Sequence, residues 1–542
     1  MSKIVLVSGH ICSGKSQLAK NLVDQFGFLR LKTSDVVRAF AEKEGLGTDR
    51  ESLQDLGDRL DKETKGSWVL EAVQKQLAKK DGLDVIVDAV RISAQVEKFR
   101  AAFGPAVVHV HLWASEGTLQ KRFEARKQQG RELDSAMTYQ RANLNKTEKE
   151  VDYLEREADV SVDTERSDTD DTCTRVAARL GLYSRLTDRL VDVVVGGQFG
   201  SEGKGQVAAY LSREYDVLVR VGGPNAGHSV RSMTGEYVYH HLPSGSRDSR
   251  GIVLIGPGAV INEKGILKEI EECGLRAGRV FIDPQAMVIS QEDVDFEQRT
   301  VVGAISSTGT GTGHALSRKI NQRGAEGVPT VARHYAGLQP FLGSTFEHLE
   351  RAFASGQKVL LEGTQGSGLS LHHGQYPHVT SRDTNVAGCL SEAGIAPSRV
   401  RRVVMVVRTY PIRVADPDKQ PGKTSGELKQ EISFAEIARR AELDPVHVEK
   451  AELTSTTKRK RRVGEFEWDQ IRKSCALNGP TDLAVSFADY ISAQNRDARR
   501  YEQLTPETIK WIEELERVAH APVSLISTRF SERAIIDRRN WV

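Results

Sequence analysis

The chain has 542 residues, 39% hydrophobic and 28% charged, which excludes wholesale disorder and, at roughly 100–200 residues per domain, a single-module protein. Its 76 Lys+Arg nearly cancel its 74 Asp+Glu, so no global field draws it to nucleic acid or a membrane surface, and any basic site is local. The longest apolar runs, such as Ile4-Val5-Leu6-Val7 and Val191-Asp192-Val193-Val194-Val195, are strand-sized and fall far short of the ~18 residues a membrane span needs.

Met1-Ser2-Lys3 leads straight into a strand pattern instead of the basic, apolar and small-residue succession of a signal peptide, so cytoplasmic residence is expected. Residues 3–8, 84–88, 107–113 and 160–163 read as strands between helical stretches, the rhythm of a parallel sheet with crossover helices. Directly after the first strand, Gly9-His10-Ile11-Cys12-Ser13-Gly14-Lys15-Ser16 fits G-x-x-x-x-G-K-[ST] and opens a helix carrying Leu18, Leu22 and Val23. In such a loop, backbone N–H groups around Gly9, Ser13 and Gly14 wrap phosphates, Lys15 reaches the terminal phosphates and the Ser16 hydroxyl suits Mg²⁺. Thr33-Ser34-Asp35-Val36-Val37-Arg38 follows, Asp88-Ala89-Val90-Arg91 ends a buried strand, and Arg122, Arg126 and Arg131 lie in a basic helical stretch. Together these resemble a nucleoside monophosphate kinase over residues 1–182. The resemblance implies that Asp35 and Arg38 grip the acceptor nucleotide, that Asp88 and Arg91 serve the site from the strand end, and that the later arginines belong to a lid. Arginines suit phosphoryl transfer, which is mostly positioning and charge neutralisation; the alternative for each is a solvated helix face.

A polar segment at residues 165–171 and a closing helix at 172–180 place the domain boundary near 183–190, giving domains 1–184 and 189–542. The α/β pattern then restarts. A strand from Leu190 leads into Gly196-Gly197-Gln198-Phe199-Gly200-Ser201-Glu202-Gly203-Lys204-Gly205-Gln206, a strand-to-helix turn suited to an anionic ligand. Val221-Gly222-Gly223-Pro224-Asn225-Ala226-Gly227-His228-Ser229 lies some twenty residues on. Later come Ile305-Ser306-Ser307-Thr308-Gly309-Thr310-Gly311-Thr312-Gly313, Glu362-Gly363-Thr364-Gln365-Gly366-Ser367-Gly368-Leu369-Ser370-Leu371 and Tyr376-Pro377-His378-Val379-Thr380-Ser381. Pro411-Ile412-Arg413-Val414 and Thr454-Ser455-Thr456-Thr457-Lys458-Arg459-Lys460-Arg461-Arg462 complete the series. In this order across residues 189–542 the blocks resemble the adenylosuccinate synthetase family, and the C-terminal part resembles its archaeal and phage branch. The expected fold is α/β throughout, a P-loop kinase-like parallel sheet followed by a larger adenylosuccinate-synthetase-like α/β domain.

The family reaction that this resemblance implies has two steps. The 6-oxygen of a purine nucleoside monophosphate takes the γ-phosphate of GTP or ATP with Mg²⁺, and the amine of L-aspartate then displaces that phosphate. A base must accept the N1 proton, and donors must stabilise the charge that develops. By resemblance His228 donates to the transferring phosphoryl group and to O6, the Gly227 backbone helps hold Mg²⁺, and Lys204 belongs to the catalytic turn. Gly200, Gly203 and Gly205 shape the triphosphate turn. Arg459 and Arg461 clamp the aspartate carboxylates, for which planar bidentate donors are suited, and Thr456 and Thr457 add hydroxyl contacts. The alternative for this basic run is a nucleic-acid or nuclear-localisation patch. Asn225, Ser307, Thr308 and Thr380 hold the acceptor nucleotide, Gln365 and Val414 line its nucleoside, and Arg323 reaches across a homodimer interface. Asp489 takes the place of the acid that reads guanine in GTP; Phe487 stands where a lysine is expected, which leaves GTP against ATP open.

One departure matters most. The family turn reads G-D-E-G-K-G-K, and here the aspartate is Ser201 and the second lysine Gln206. That aspartate is the family's N1 base and a Mg²⁺ ligand; a serine hydroxyl is no comparable base near neutral pH and a weaker ligand for a hard cation. In one reading the acceptor is GMP or dGMP, whose 2-amino group occupies the room a small Ser201 leaves beside N1, as in the phage 2-aminoadenylosuccinate synthetases, with Glu202, the phosphate or water assisting deprotonation. In the others the enzyme acts on IMP, or the module binds nucleotides without ligation. The N-terminal domain either phosphorylates a related nucleoside monophosphate or senses nucleotides. Five scattered cysteines, Cys12, Cys173, Cys273, Cys389 and Cys475, predict reduced thiols and no structural zinc.

Overall fold

The computed structural model describes residues 2–541 apart from 80–81, 130–137, 141–145, 233–234, 325–330, 418–422 and 454–459. Arg131, Thr456, Thr457 and Arg459 therefore lie outside the described residues. The chain divides into two units, Met1–Tyr183 and Ser184–Val542.

In the first unit the described residues form a five-stranded, all-parallel sheet in the order Leu29–Lys32, Val85–Asp88, Ile4–Gly9, Val107–Trp113, Val160–Asp163. Strand alternation sends Ile4 and Leu6 into one apolar layer and Val5 and Val7 into the other, so the central strand is buried on both faces and reads as a continuous hydrophobic run. The four expected strands are present. The fifth, Leu29–Lys32, was not expected, because a four-residue edge strand alternating with Arg30 and Lys32 carries little hydrophobic signal. The closing helix is Thr169–Arg179, its first turn capped by Asp168, which accepts from the N–H groups of Asp170 and Asp171.

The second unit is built on a nine-stranded sheet ordered Val280–Ile282, Ile252–Ile255, Val217–Arg220, Val359–Glu362, Val191–Gly196, Val400–Arg408, Asp482–Ser486, Val523–Ser527, Ile535–Asp537. Its pairings are parallel except the last. Val193 and Val195 pack on one face and Val194 on the other, each worth about 1.5–3 kcal/mol when fully buried. Gly196, Arg220, Glu362, Arg408 and Ser486 end five adjacent parallel strands, and ligands of such sheets bind beyond the carboxyl ends. Among the described residues no helix is long and apolar enough to cross a membrane, and none of the five cysteines is in a disulfide.

Candidate active site

In the first unit the glycine loop follows the central strand. Gly9 and Gly14 both take positive φ, 135° and 102°, and at Gly9 a Cβ would lie 2.1 Å from the Leu112 carbonyl oxygen, so only glycine fits. Lys15 Nζ donates to the Gly9 and His10 carbonyls at 2.6 and 2.7 Å, closing the loop on itself. Ser16 Oγ donates to Asp88 Oδ2 at 3.2 Å, and the buried Ser13 Oγ has no hydrogen-bond partner among the described residues. A P-loop hydroxyl beside a strand-end carboxylate is the donor pair that holds Mg²⁺ in such nucleotide sites. Arg30, which the sequence reading omits, forms an ion pair with Asp88; only the strand Leu29–Lys32 puts it there. Asp35 lies within 3.4 Å of Lys32 and 3.8 Å of Arg38, the Arg91 backbone is held by Gln95, and Arg122 donates to the Thr164 carbonyl at 2.6 Å and towards the Cys12 carbonyl at 3.4 Å. Arg126 lies on the exposed side of the helix Glu116–Gln128.

In the second unit a cavity of about 1410 Å³ opens at the carboxyl ends of the central strands. It gathers Gly200, Ser201, Gly203, Lys204, Gly205, Asn225, Gly227, His228, Ser307, Thr308, Gln365, Thr380, Val414, Arg461 and Asp489, residues spread over almost 300 positions of sequence that only the parallel sheet brings together. Arg323 does not line it; its Nε donates to the Ile320 carbonyl on the surface.

The turn after Val191–Gly196 is held from inside. Gly200, Ser201 and Gly203 adopt positive φ of 90°, 55° and 87°, so consecutive side chains diverge. Ser201 is exposed to the cavity, while Glu202 is 0% exposed. Glu202 accepts from the N–H groups of Gln198 and Gly200 at 3.1 and 2.8 Å and from Lys204 Nζ at 2.5 Å. This corrects the expectation of Glu202 as a proton acceptor for the substrate: its carboxylate is used within the turn, behind the cavity wall. Gln206, in place of a lysine, accepts from the Arg231 N–H at 2.9 Å and donates to its carbonyl at 3.4 Å, clipping the strand His228–Ser232 to the helix Lys204–Leu211. Gly205 allows His228 to come close, for a Cβ there would lie 2.7 Å from the His228 Cβ.

His228 Nδ1 is 2.6 Å from Glu362 Oε1, and Ser244 donates to the same carboxylate through its N–H and its hydroxyl, both at 2.6 Å. Burial, with the Arg220 and Lys204 charges, pushes the His228 pKa down to about 4 against the pull of Glu362. Burial opposes the Glu362 charge, but His228, Arg220 and Ser244 hold the carboxyl below the usual range. Nδ1–H donates to this carboxylate, which fixes the orientation of the ring, and Nε2 donates to a cavity ligand only in the imidazolium form, which Glu362 and an anionic phosphoryl group favour. Arg220, fully buried, donates to the Ala226 carbonyl at 2.7 Å and so pins the Asn225–His228 loop. Glu362, Ser244 and Arg220 carry no expectation from sequence. Their one signal is position, since Glu362 and Arg220 each end an apolar strand before a glycine loop.

Gln365 Nε2 donates to Asn225 Oδ1 at 3.1 Å, and Asn225 Nδ2 to Thr380 Oγ1 at 3.5 Å, one polar wall built from three loops. Burial pushes Asp489 up to about 7; its Oδ1 is buried without a hydrogen-bond partner among the described residues, and Arg496 lies 3.8 Å from Oδ2. Phe487, at φ 60°, stacks under the Arg408 guanidinium at 4.1 Å. In the basic run, Arg462 is neutralised by Glu431 and Asp416, and Arg461, paired with Glu452, lines the cavity instead of an open basic surface, which argues against the nucleic-acid reading.

The adenylosuccinate synthetase family model matches residues 193–329 and 325–496, and an AAA domain model matches residues 4–152. The adenylosuccinate synthetase of Methanococcus aeolicus is 33% identical over 355 residues, 64% of this chain and 99% of the relative. That of Pyrococcus horikoshii is 33% identical over 359 residues, 65% and 99%. Among solved structures, the fully ligated adenylosuccinate synthetase from Plasmodium falciparum is similar at 20% identity and a TM-score of 0.56, covering 65% of this chain and 100% of its own, which bears on the fold alone. The succinoaminodeoxyadenylate synthetase of cyanophage S-2L, bound to dGMP and dATP as an energy donor, is similar at 27% identity and a TM-score of 0.54, covering 65% and 96%.

Proposed function

The chain belongs to the adenylosuccinate synthetase family, and from that premise we propose that this ligase of adenylosuccinate synthetase type joins L-aspartate to C6 of a guanine nucleotide, GMP or dGMP, in preference to IMP. The observation that carries the acceptor is Ser201: a side chain short of a carboxylate, facing the cavity at the turn where the family places its aspartate. The cyanophage relative bound to dGMP supports the same reading. The product is an N6-succinyl-2-aminoadenylate.

In this reading Ser307, Thr308 and Thr380 hold the acceptor phosphate and Asn225, Gln365 and Val414 its nucleoside. O6 attacks the γ-phosphorus as the bond to the departing diphosphate breaks, and the N1 proton passes to the phosphate or to a water molecule at Ser201. His228, aligned by Glu362, contacts the transferring phosphoryl group and O6, in a site where preorganised polar groups act with little screening. The aspartate amine, its carboxylates clamped by Arg461 with Arg459, Thr456 and Thr457, then attacks C6, and the C6–O6 bond breaks as phosphate leaves. Asp489 faces the base of the triphosphate. GTP is the family's usual donor, and ATP fits the absence of a lysine at Phe487. For Mg²⁺, no group of three or more His, Cys, Asp or Glu gathers among the described residues, and Gly227 lines the cavity. Such a site fits an ion held by a backbone carbonyl and substrate phosphates, whose charge it neutralises. Arg323 is assigned to a partner's site in a homodimer. Phosphate released on adding L-aspartate to enzyme, Mg²⁺, triphosphate and GMP or dGMP is the expected signal; release with IMP alone contradicts the reading.

The first unit phosphorylates a nucleoside monophosphate related to the ligase's substrate or product, using the Lys15 loop and the Ser16–Asp88 pair. Lys15→Ala is expected to lower monophosphate kinase turnover at least about 10²-fold, the loss of a charge clamp on the phosphates, with ligation unchanged. Altered ligation in Lys15→Ala, with no kinase turnover detectable in the wild-type protein, would instead make the unit a nucleotide sensor.

A further inference from the structure

One buried carboxylate outside the roles above touches two parts of the ligase site. Glu452 ends the helix Pro445–Ala451 and is 2% exposed. Its Oε1 accepts from Arg408 at 2.7 Å and from the Tyr490 hydroxyl at 2.7 Å, and its Oε2 accepts from Arg461 at 3.0 Å. Arg408, fully buried at the end of its strand, also donates to the Ser201 carbonyl at 3.3 Å. Arg461 opens the strand Arg461–Gly464 and lines the cavity. Thus a single carboxylate fixes the backbone of the substituted turn on one side and a cavity guanidinium on the other.

Charge makes this arrangement specific. Two guanidiniums share one carboxylate, so the cluster keeps a surplus positive charge against the cavity, which an anionic ligand would balance. Burial alone would raise the Glu452 pKa, but the charges of Arg408 and Arg461 hold it at about 2, so the cluster stays ionised throughout the working range. Replacing one member leaves another buried charge uncompensated.

We propose that Glu452 is a positioning residue that couples the amino-acid clamp to the turn bearing Ser201, by holding Arg461 and Arg408 at once. Arg461 is then presented to a dicarboxylic amino acid in one orientation, while the same carboxylate holds Arg408 against the Ser201 carbonyl. The proposal rests on the reading of Arg461 as part of the aspartate site, so the test carries a separate arm for it.

The experiment measures kcat and the KM values for L-aspartate and for the acceptor in the full-length enzyme, with whichever of IMP, GMP and dGMP it turns over. Glu452→Gln is expected to raise the aspartate KM at least about ten-fold, the scale of a lost charge-assisted contact, and to lower kcat, with the acceptor KM within about two-fold. Glu452→Asp is expected to recover part of the loss. An unchanged aspartate KM in Glu452→Gln, or equal losses in both KM values and kcat as general destabilisation gives, overturns the coupling. If Arg461→Lys raises the aspartate KM while Glu452→Gln does not, the clamp stands and the coupling falls; if Arg461→Lys leaves it unchanged, both fall. Should Glu452→Gln fail to fold, Tyr490→Phe removes one bond to the same carboxylate and is expected to raise the aspartate KM about two- to three-fold, the scale of one neutral hydrogen bond; no change overturns the proposal.

Discussion

Ser201→Asp is expected to turn the acceptor preference around. An aspartate at 201 places a carboxylate where the turn faces the cavity, which restores a base for N1 and fills the room beside it. Both effects favour IMP: positioned general bases are worth about 10²–10⁴-fold, and the 2-amino group of a guanine nucleotide meets added bulk. The expected result is a fall in kcat/KM for GMP and dGMP, a rise for IMP, and a change in their ratio of at least about 10²-fold. Arg408 holds the backbone at this position through the Ser201 carbonyl and Ser201 already lies at φ 55°, a conformation that aspartate tolerates better than most residues. The substitution therefore tests the side chain without remaking the turn. An unchanged ratio, with the variant folded and active, removes Ser201 as the specificity device.

The second large effect belongs to His228. His228→Ala deletes the imidazole that Glu362, itself held by Ser244, orients, and the loss falls on the transition state more than on ground-state binding. Removing one preorganised donor from such a site lowers kcat about 10²–10³-fold. The acceptor KM is expected to change little, because Asn225, Gln365 and Thr380 form a separate wall. Glu362→Gln keeps the shape but loses the charge that favours the imidazolium, and lies between wild type and His228→Ala. A rise in acceptor KM with undiminished kcat in His228→Ala contradicts this assignment and makes His228 a binding residue.

The parts of this site written in consecutive residues were legible in the sequence, because glycine turns after apolar strands state their own geometry. Gly9 to Ser16, Gly200 to Gly205 and Asn225 to His228 are of that kind. The parts that escaped come from distant elements meeting in space. Glu362, Ser244 and Arg220 converge on His228 from three different segments, and Arg408, Glu452 and Tyr490 come from a strand, a helix end and a short 3-10 turn. Arg30 was missed with its strand, since four residues alternating with charge look like a loop. Glu202 was misplaced for the opposite reason: adjacency to Ser201 suggested a shared role, but positive φ at 200, 201 and 203 turns the two side chains to opposite sides of the turn.

The central claim, a guanine nucleotide acceptor, is tested most directly by competition. Wild-type enzyme with Mg²⁺, triphosphate and L-aspartate is given equimolar IMP, GMP and dGMP, and the succinyl adducts are counted by mass spectrometry at low conversion, where their ratio reports relative kcat/KM. A predominance of the adduct of GMP or dGMP is the predicted result, whereas a predominance of the IMP adduct, or no adduct at all, would contradict it.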